Sequence, residues 1–369
     1  MNGEHSIAAY FAELPDPRMS GKCDHRLQDI ILIAICAVVC GAESWEEIET
    51  FGETKEVWLR QWLELPNGIP SHDTFERVFR KLDAKAFEER FLSWVQNTFR
   101  MTAGQVVAID GKSLRGTGDG GHNANLHLVS AWATVNGISL GQKKVKNKSN
   151  EITAIPELLS LLLLKGCIVT IDAMGCQTDI AEQIIQQQAD YVLAVKGNQG
   201  TLYEHIQEIF AYADDGRFPQ FRADYAETVD RGHGREEKRC CWALADPHPQ
   251  AKGWKECQTI VRVLRQRTRP GKTEQEIVFY ISSLPPCASL LLGCIRAHWG
   301  IENSFHWVLD AVFHEDHSRT RMGDGAENLA LLRRIALNLL KRHPGKGTLK
   351  GKRYRAALDE DFLLQLLTS

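Results

Sequence analysis

The hydrophobic positions along this chain change their period near residue 100. Before it they recur at helical spacing: Phe75, Val78, Phe79 and Leu82 fall at i, i+3, i+4 and i+7 and make one apolar face. Asp73, with Glu76 three residues on, reads as a capping box opening that helix. Trp45 to Phe51 reads as an earlier helix, and Pro66, Asn67, Gly68 and Pro70 as turn residues between the two. That order fits a helix-turn-helix, and a plain helical bundle fits it as well. Ile30 to Cys40 is an unbroken apolar run, which predicts a buried helix; it is far shorter than the ~20 residues a membrane span needs.

From residue 105 strand signals take over. Val106 to Asp110 is a short apolar run ending in Asp-Gly, and Leu126 to Ala133 and Ile138 to Val145 are β-prone segments separated by the turn Asn136-Gly137. Then come a helix over about Thr153 to Leu164, a strand over Ile168 to Asp172, a helix over about Asp179 to Gln188, a strand over Tyr191 to Lys196 and a helix after Asn198. A hairpin followed by strand–helix alternation predicts an α/β fold with a mixed sheet covered by helices, as in RNase H-like proteins.

Short β-like pieces, Gln258 to Arg265 and Glu276 to Leu284, interrupt this alternation and read as an insertion. Helical spacing resumes near Leu290 and ends in a long helix, Ala326 to Lys341. The expected organisation is a helical region over 1–100 that could form a DNA-binding helix-turn-helix domain; the first part of the core over 101–214; a β-rich insertion over 215–285; the helical completion of the core over 286–345; and a basic tail over 346–369.

Composition narrows the class. With 369 residues, 43% of them hydrophobic, the chain can bury a large core. Its opening, MNGEHSIAAYF, has no basic segment followed by an apolar one, so a cytoplasmic protein with no membrane partner is expected. The ten cysteines are scattered without a CxxC pair, which predicts free thiols and no structural zinc. A net charge of −3 does not decide for or against nucleic acid, because phosphates are met by local clusters. Such clusters lie at Lys143, Lys144, Lys146 and Lys148, from Arg262 to Lys272, and from Lys341 to Arg355, the last a candidate duplex-binding surface.

The candidate chemistry rests on carboxylates. Asp110 and Asp172 each end a predicted strand, where side chains project into the crevice that binds ligands in open sheets. Either alone could simply begin a turn. Glu302 lies among Trp299, Ile301, Phe305 and Trp307 on a predicted helix where an unpaired charge would be expensive. Three carboxylates in one crevice repel unless a cation joins them, and Mg²⁺, with Mn²⁺ as a substitute, suits such oxygen ligands. Two such ions about 3.5 to 4 Å apart would activate an attacking water or 3′-hydroxyl and stabilise the leaving oxygen of a phosphoryl displacement. His314, Glu315, Asp316 and His317 are consecutive and on a helix could not all face one ion, so a structural or DNA-facing role is expected there.

The motifs VVAIDGKSLRG, LHLVSAWA, KSNEITAIPELL, IVTIDAMGCQ, DYVLAVKGNQ, YISSL, HWGIENSFHWVLD and HEDHSRTR, with DPR, GAESWEEIE and GIPSHDTFERVF before them, resemble those of DDE insertion-sequence transposases related to bacterial H-repeat-associated proteins. The resemblance runs nearly end to end. It implies an RNase H-like core, a β-rich insertion before the glutamate helix, and an acidic triad of Asp110, Asp172 and Glu302 that holds the metal and catalyses Mg²⁺-dependent cleavage and transfer of double-stranded DNA at the ends of an insertion element. It also implies a homo-oligomer when two ends are synapsed. Lys112, Arg115, Lys196 and Asn198 would then be phosphate contacts.

One departure stands out against related transposases whose glutamate helix carries a tyrosine, an arginine and a lysine as phosphate ligands. Arg296, Trp299, Ile301 and Phe305 fit the wider pattern, but Ile295, His298 and Leu309 stand in those three places. His298 and His306 are candidate substitutes as DNA contacts, alongside Arg296. Two other readings keep the motifs: a metal-dependent nuclease without strand transfer, and a catalytically silent DNA-binding relic.

Overall fold

The computed structural model describes residues 6–19, 21, 23–118, 124–145, 151–215, 223–232, 234–245 and 253–368. Lys146 and Lys148 of the first basic cluster lie outside them.

Among the described residues six helices precede the sheet: α1 (Ile7–Phe11), α2 (Leu27–Cys40), α3 (Trp45–Thr54), α4 (Glu56–Leu59), α5 (His72–Lys81) and α6 (Ala84–Thr98). The apolar run forms α2, whose Ile30, Ile31, Ile33 and Ile35 have no exposed surface. A helix apolar all round is covered on every side. α3 is capped at its start: the N-cap Ser44 accepts from the Glu47 N–H at 3.3 Å, and Glu47 reaches back to accept from the N–H of Glu43, just before the cap, at 2.6 Å. α5 begins one residue before Asp73 and is not capped by it; Glu49 of α3 accepts from the His72 N–H at 3.0 Å. α3 and α5 do pack together. Residues 55–71, with α4 among them, separate the two helices, far more than the three- or four-residue turn of a compact helix-turn-helix.

The sheet is built from β1 (Val106–Leu114), β2 (Leu126–Ala133), β3 (Ile138–Val145), β4 (Ile168–Ile171) and β5 (Asp190–Val195), with α7 (Glu151–Ser160), α8 (Thr178–Gln186) and α9 (Gly200–Asp215) as connections and flanks. β6 (Asp224–Gly232), β7 (Arg235–Ala245), β8 (Thr259–Arg269) and β9 (Lys272–Ser282) follow. Their order in the nine-stranded sheet is β3-β2-β1-β4-β5-β9-β8-β7-β6. β1 runs antiparallel to β2 and parallel to β4, and β4 is parallel to β5: this is the mixed, RNase H-like sheet. Gly137, at φ +65°, supplies the left-handed position of the β2–β3 turn.

The segment 215–285 differs from its short sequence signals. It forms four strands of 9 to 11 residues, and β9 pairs with β5, so it prolongs the core sheet. Its outer half faces water, and the exposed Arg and Glu positions dilute the apolar pattern.

The chain closes with α10 (Ala288–His298), a single π turn (Glu302–His306), α11 (Trp307–Ala311), α12 (Gly325–Arg342), α13 (Leu349–Leu358) and α14 (Glu360–Thr368). α12 packs against α2, α5, α6 and β3, and α13 covers α2. Within the basic tail, Arg353 is buried and donates to the Val38 carbonyl at 3.1 Å, while Lys352 donates to the Leu340 and His343 carbonyls at 3.0 and 2.7 Å. Both cations are taken up by carbonyls at or beside helix ends. Among the described residues no single helix is long and apolar enough to cross a membrane, and all ten cysteines are free.

Candidate active site

Parallel pairing sets two carboxylates side by side. Ile109 of β1 is in register with Ile171 of β4, so the next residues, Asp110 and Asp172, stand abreast at the same end of the sheet. Asp172 leaves the strand, and its Oδ1 accepts from the Met174 N–H at 3.1 Å, so it also serves as the turn residue its sequence position suggests. Glu302 begins the π turn, and π turns concentrate at functional sites. The three carboxylates line one cleft with Lys196, Glu276, Tyr280, His298 and Trp299.

Electrostatics record the crowding. Burial, then the charges of Asp172, Glu302 and Glu151, push Asp110 up to about 7. Asp172 is also raised, by burial and then by Glu151, with Lys196 opposing. Such repulsion is what a divalent cation relieves, and three carboxylates are the hard oxygen donors that Mg²⁺ or Mn²⁺ takes. The donor chemistry therefore fits. Among the described residues, however, no three His, Cys, Asp or Glu side chains are close enough to enclose an ion, and Glu302 is exposed. The carboxylates share a cleft without yet converging on one point.

The expected phosphate contacts divide. Lys196 is exposed and lines the cleft, and the exposed Asn198 is tied to the Ala173 carbonyl at 2.7 Å beside Asp172. Arg115 is exposed, 3.6 Å from Asp316. Arg296, half exposed, donates to Asp230 at 2.9 Å. Lys112 corrects the sequence reading: its buried ammonium meets Asp310 at 2.5 Å, Asp316 at 3.2 Å and Glu315 at 3.3 Å, leaving no donor for a phosphate. His298 and His306 correct it too, because both are buried. Burial lowers His298 to about 4 and, with the charges of Arg334 and Lys112, His306 to about 3, so neither carries charge toward DNA near neutral pH. His298 Nδ1 sits 3.1 Å from Thr170 Oγ1, and His306 Nδ1 3.6 Å from Asp110 Oδ2.

Of two further features, the sequence shows the first only in part and the second not at all. A second cleft beside Glu302 is lined by Arg235, Arg239, Arg265, Arg267 and Arg296. Glu237 and Asp230 hold four of these guanidinium groups in place, and Arg265 lies over the Trp299 ring at 5.1 Å from its centroid. Arg265 and Arg267 belong to the basic run from Arg262 to Lys272 and Arg296 was a candidate DNA contact, whereas nothing in the sequence singled out Arg235 and Arg239 of β7. The other feature is Glu151, which lies within the KSNEITAIPELL motif with nothing in the sequence to single it out.

The residue pattern of the transposase DDE domain family matches residues 102–339, a span that contains all three carboxylates. The chain belongs to that family. A DDE_Tnp_1-associated pattern matches residues 8–95, the helical region that packs on the core. "Putative transposase YncI" of Escherichia coli O157:H7 is 42% identical over 99% of this chain and 95% of its own length. "H repeat-associated putative transposase YhhI" of Escherichia coli strain K12 is 40% identical over 98% of this chain and 97% of its own length. Among solved structures, the piggyBac transposase synaptic complex with hairpin DNA aligns with 99% of this chain and 79% of its own, at 11% identity and a TM-score of 0.45. Within this transposase family member, Lys112 and the HEDHSRTR motif are thus parts of one buried ion network.

Proposed function

We propose that the chain is a DDE transposase in which Asp110, Asp172 and Glu302 hold Mg²⁺, with Mn²⁺ as a substitute, and cleave and transfer DNA strands at the ends of its own element. The observation that carries this reading is the register that sets Asp110 beside Asp172, with Glu302 on the wall of the same cleft. When bound, the metal would polarise the scissile phosphate and activate the attacking oxygen. The protein's own residues supply the rest. Lys196 and the five arginines of the neighbouring cleft offer charge to the DNA backbone, and Arg239, Arg265 and Arg267 are already braced by carboxylates or by Trp299. His306, neutral beside Asp110, leaves that carboxylate's charge unopposed by an imidazolium.

The test is a cleavage and joining assay on duplexes carrying the flanks of the chain's own element, with Mg²⁺ or Mn²⁺. Wild type is expected to nick and join, and Asp110→Asn, Asp172→Asn and Glu302→Gln each to abolish both while retaining DNA binding. Full cleavage by any of these variants would sink the triad. Nicking without joined products would make the chain a nuclease, and DNA affinity with no metal-dependent cleavage a silent relic.

A further inference from the structure

Glu151 opens α7 on the far side of β1 from Lys112, and it is buried. Its Oε1 lies 2.5 Å from His127 Nε2, and His127 Nδ1 lies 2.8 Å from Ser113 Oγ. An ionised carboxylate only accepts, so Nε2 donates and the Ser113–His127 chain fixes where the carboxylate sits. That place is directly over the backbone of Gly111, the residue after Asp110: a Cβ there would stand 2.5 Å from Glu151 Oε1 and 2.8 Å from His127 Nε2. The glycine of Asp-Gly is therefore explained by close approach rather than by turn geometry, since Gly111 lies inside β1 and pairs with Val129. From that position the Glu151 carboxylate lies against the residue that follows Asp110, and Asp172 stands abreast of Asp110 on the neighbouring strand end.

A buried hydrogen bond explains only half of this arrangement. A glutamate whose sole task was to satisfy His127 would be placed away from two other partly buried carboxylates, because like charges at short range cost stability. Here three elements, β1, β2 and α7, cooperate to bring another carboxylate to the strand ends and to fix it there.

The geometry points to Glu151 as a positioning residue of the metal centre, a further carboxylate held by His127 and Ser113 against Gly111 that strengthens divalent-cation binding by Asp110 and Asp172. This rests on the metal-holding role proposed above for the two aspartates. Residues that act through metal ligands in this way are worth about 10- to 100-fold in metal affinity.

The experiment is Mn²⁺ titration of the full-length, DNA-free chain by calorimetry, paired with thermal melts without and with Mn²⁺, for wild type, Asp172→Asn, Glu151→Gln and His127→Gln. Wild type is expected to bind Mn²⁺ and Asp172→Asn to lose it. Glu151→Gln, which keeps a hydrogen-bonding group toward His127, should bind about tenfold or more weakly while its metal-free midpoint stays level or rises, because one repelling charge is gone. His127→Gln should lose part of the affinity, since it leaves the charge but not its aim. Wild-type affinity in Glu151→Gln, or a lowered metal-free midpoint with unchanged affinity, would overturn the role and make Glu151 a structural partner of His127. Absence of Mn²⁺ binding in wild type would instead overturn the metal-centre reading itself, and this inference with it.

Discussion

Glu315 and Arg334 meet at 2.7 Å with neither side chain exposed to solvent. Burial alone would raise Glu315, but Arg334 and Lys112 outweigh it and hold the carboxyl at about 2. Through Lys112 this pair is tied to β1 two residues from Asp110, so the HEDHSRTR motif braces the strand that carries the first aspartate. Breaking a buried pair by removing one partner leaves an uncompensated charge. Glu315→Gln or Lys112→Met should therefore lower unfolding free energy by about 3 to 5 kcal/mol in urea denaturation. Lys112→Met should leave the salt dependence of DNA binding unchanged; a shallower slope would put Lys112 on a phosphate after all.

The arginine cleft leads to the opposite expectation. Arg267→Ala should weaken DNA binding about equally for all sequences and reduce the slope of log K against log salt by about 0.9 for each phosphate that the variant no longer neutralises. Stability should change little at this half-exposed position. A slope equal to wild type in fluorescence anisotropy titrations would remove the cleft from the DNA path.

The crowded aspartates predict a pH signature in the metal-free protein. The folded value for Asp110, about 7, lies above its ordinary value of 3.8, so between those limits the folded state binds the extra proton. Stability from this group is then greatest at low pH and is lost as pH rises toward 7. Subtracting the melting profile of Asp110→Asn from that of wild type should give a difference that falls from about pH 4 to about pH 7 and is flat above it.

Gly111→Ala places a methyl group where the Glu151 carboxylate and the His127 imidazole already sit. Overpacking of this kind costs about 1 to 3 kcal/mol. The loss should appear in the denaturation midpoint without metal, and Glu151→Ala in the same background should recover part of it. Failure of that rescue would mean that Glu151 is not what the methyl group meets.

How far the sequence discloses this molecule depends on where its neighbours come from. β2 is buried at every position, so its apolar run reads directly as a strand, and the register of β1 with β4 makes Asp110 and Asp172 neighbours as soon as the strands are placed. β8 and β9 are harder: their hairpin ends are wet, so the β-like signal stops at Arg265 and resumes at Glu276, and Arg267 and Glu274 between them read as loop charges until the pairing is known. Lys112 shows the stronger limit. A lysine after Asp-Gly looks free for phosphate, and only its bond to Glu315, 203 residues away, reveals that it is spoken for. Within the tail Arg353 misleads for the same reason, since the Val38 carbonyl that captures it belongs to a helix 315 residues earlier.

The π turn at Glu302–His306 alters how positions on the glutamate helix should be counted. Its Trp307 N–H bonds to the Glu302 carbonyl, one residue farther back than an α-helix allows. An α-helix is a clock advancing about 100° per residue, and this one gains an extra tick just after the glutamate. Residues beyond it are out of phase with any partner helix that lacks the turn. The place an uninterrupted helix would give to Leu309 falls in space to Asp310, whose carboxylate grips Lys112. Where a phosphate-binding lysine is looked for by counting from Glu302, the chain instead presents the acid that fastens its own β1.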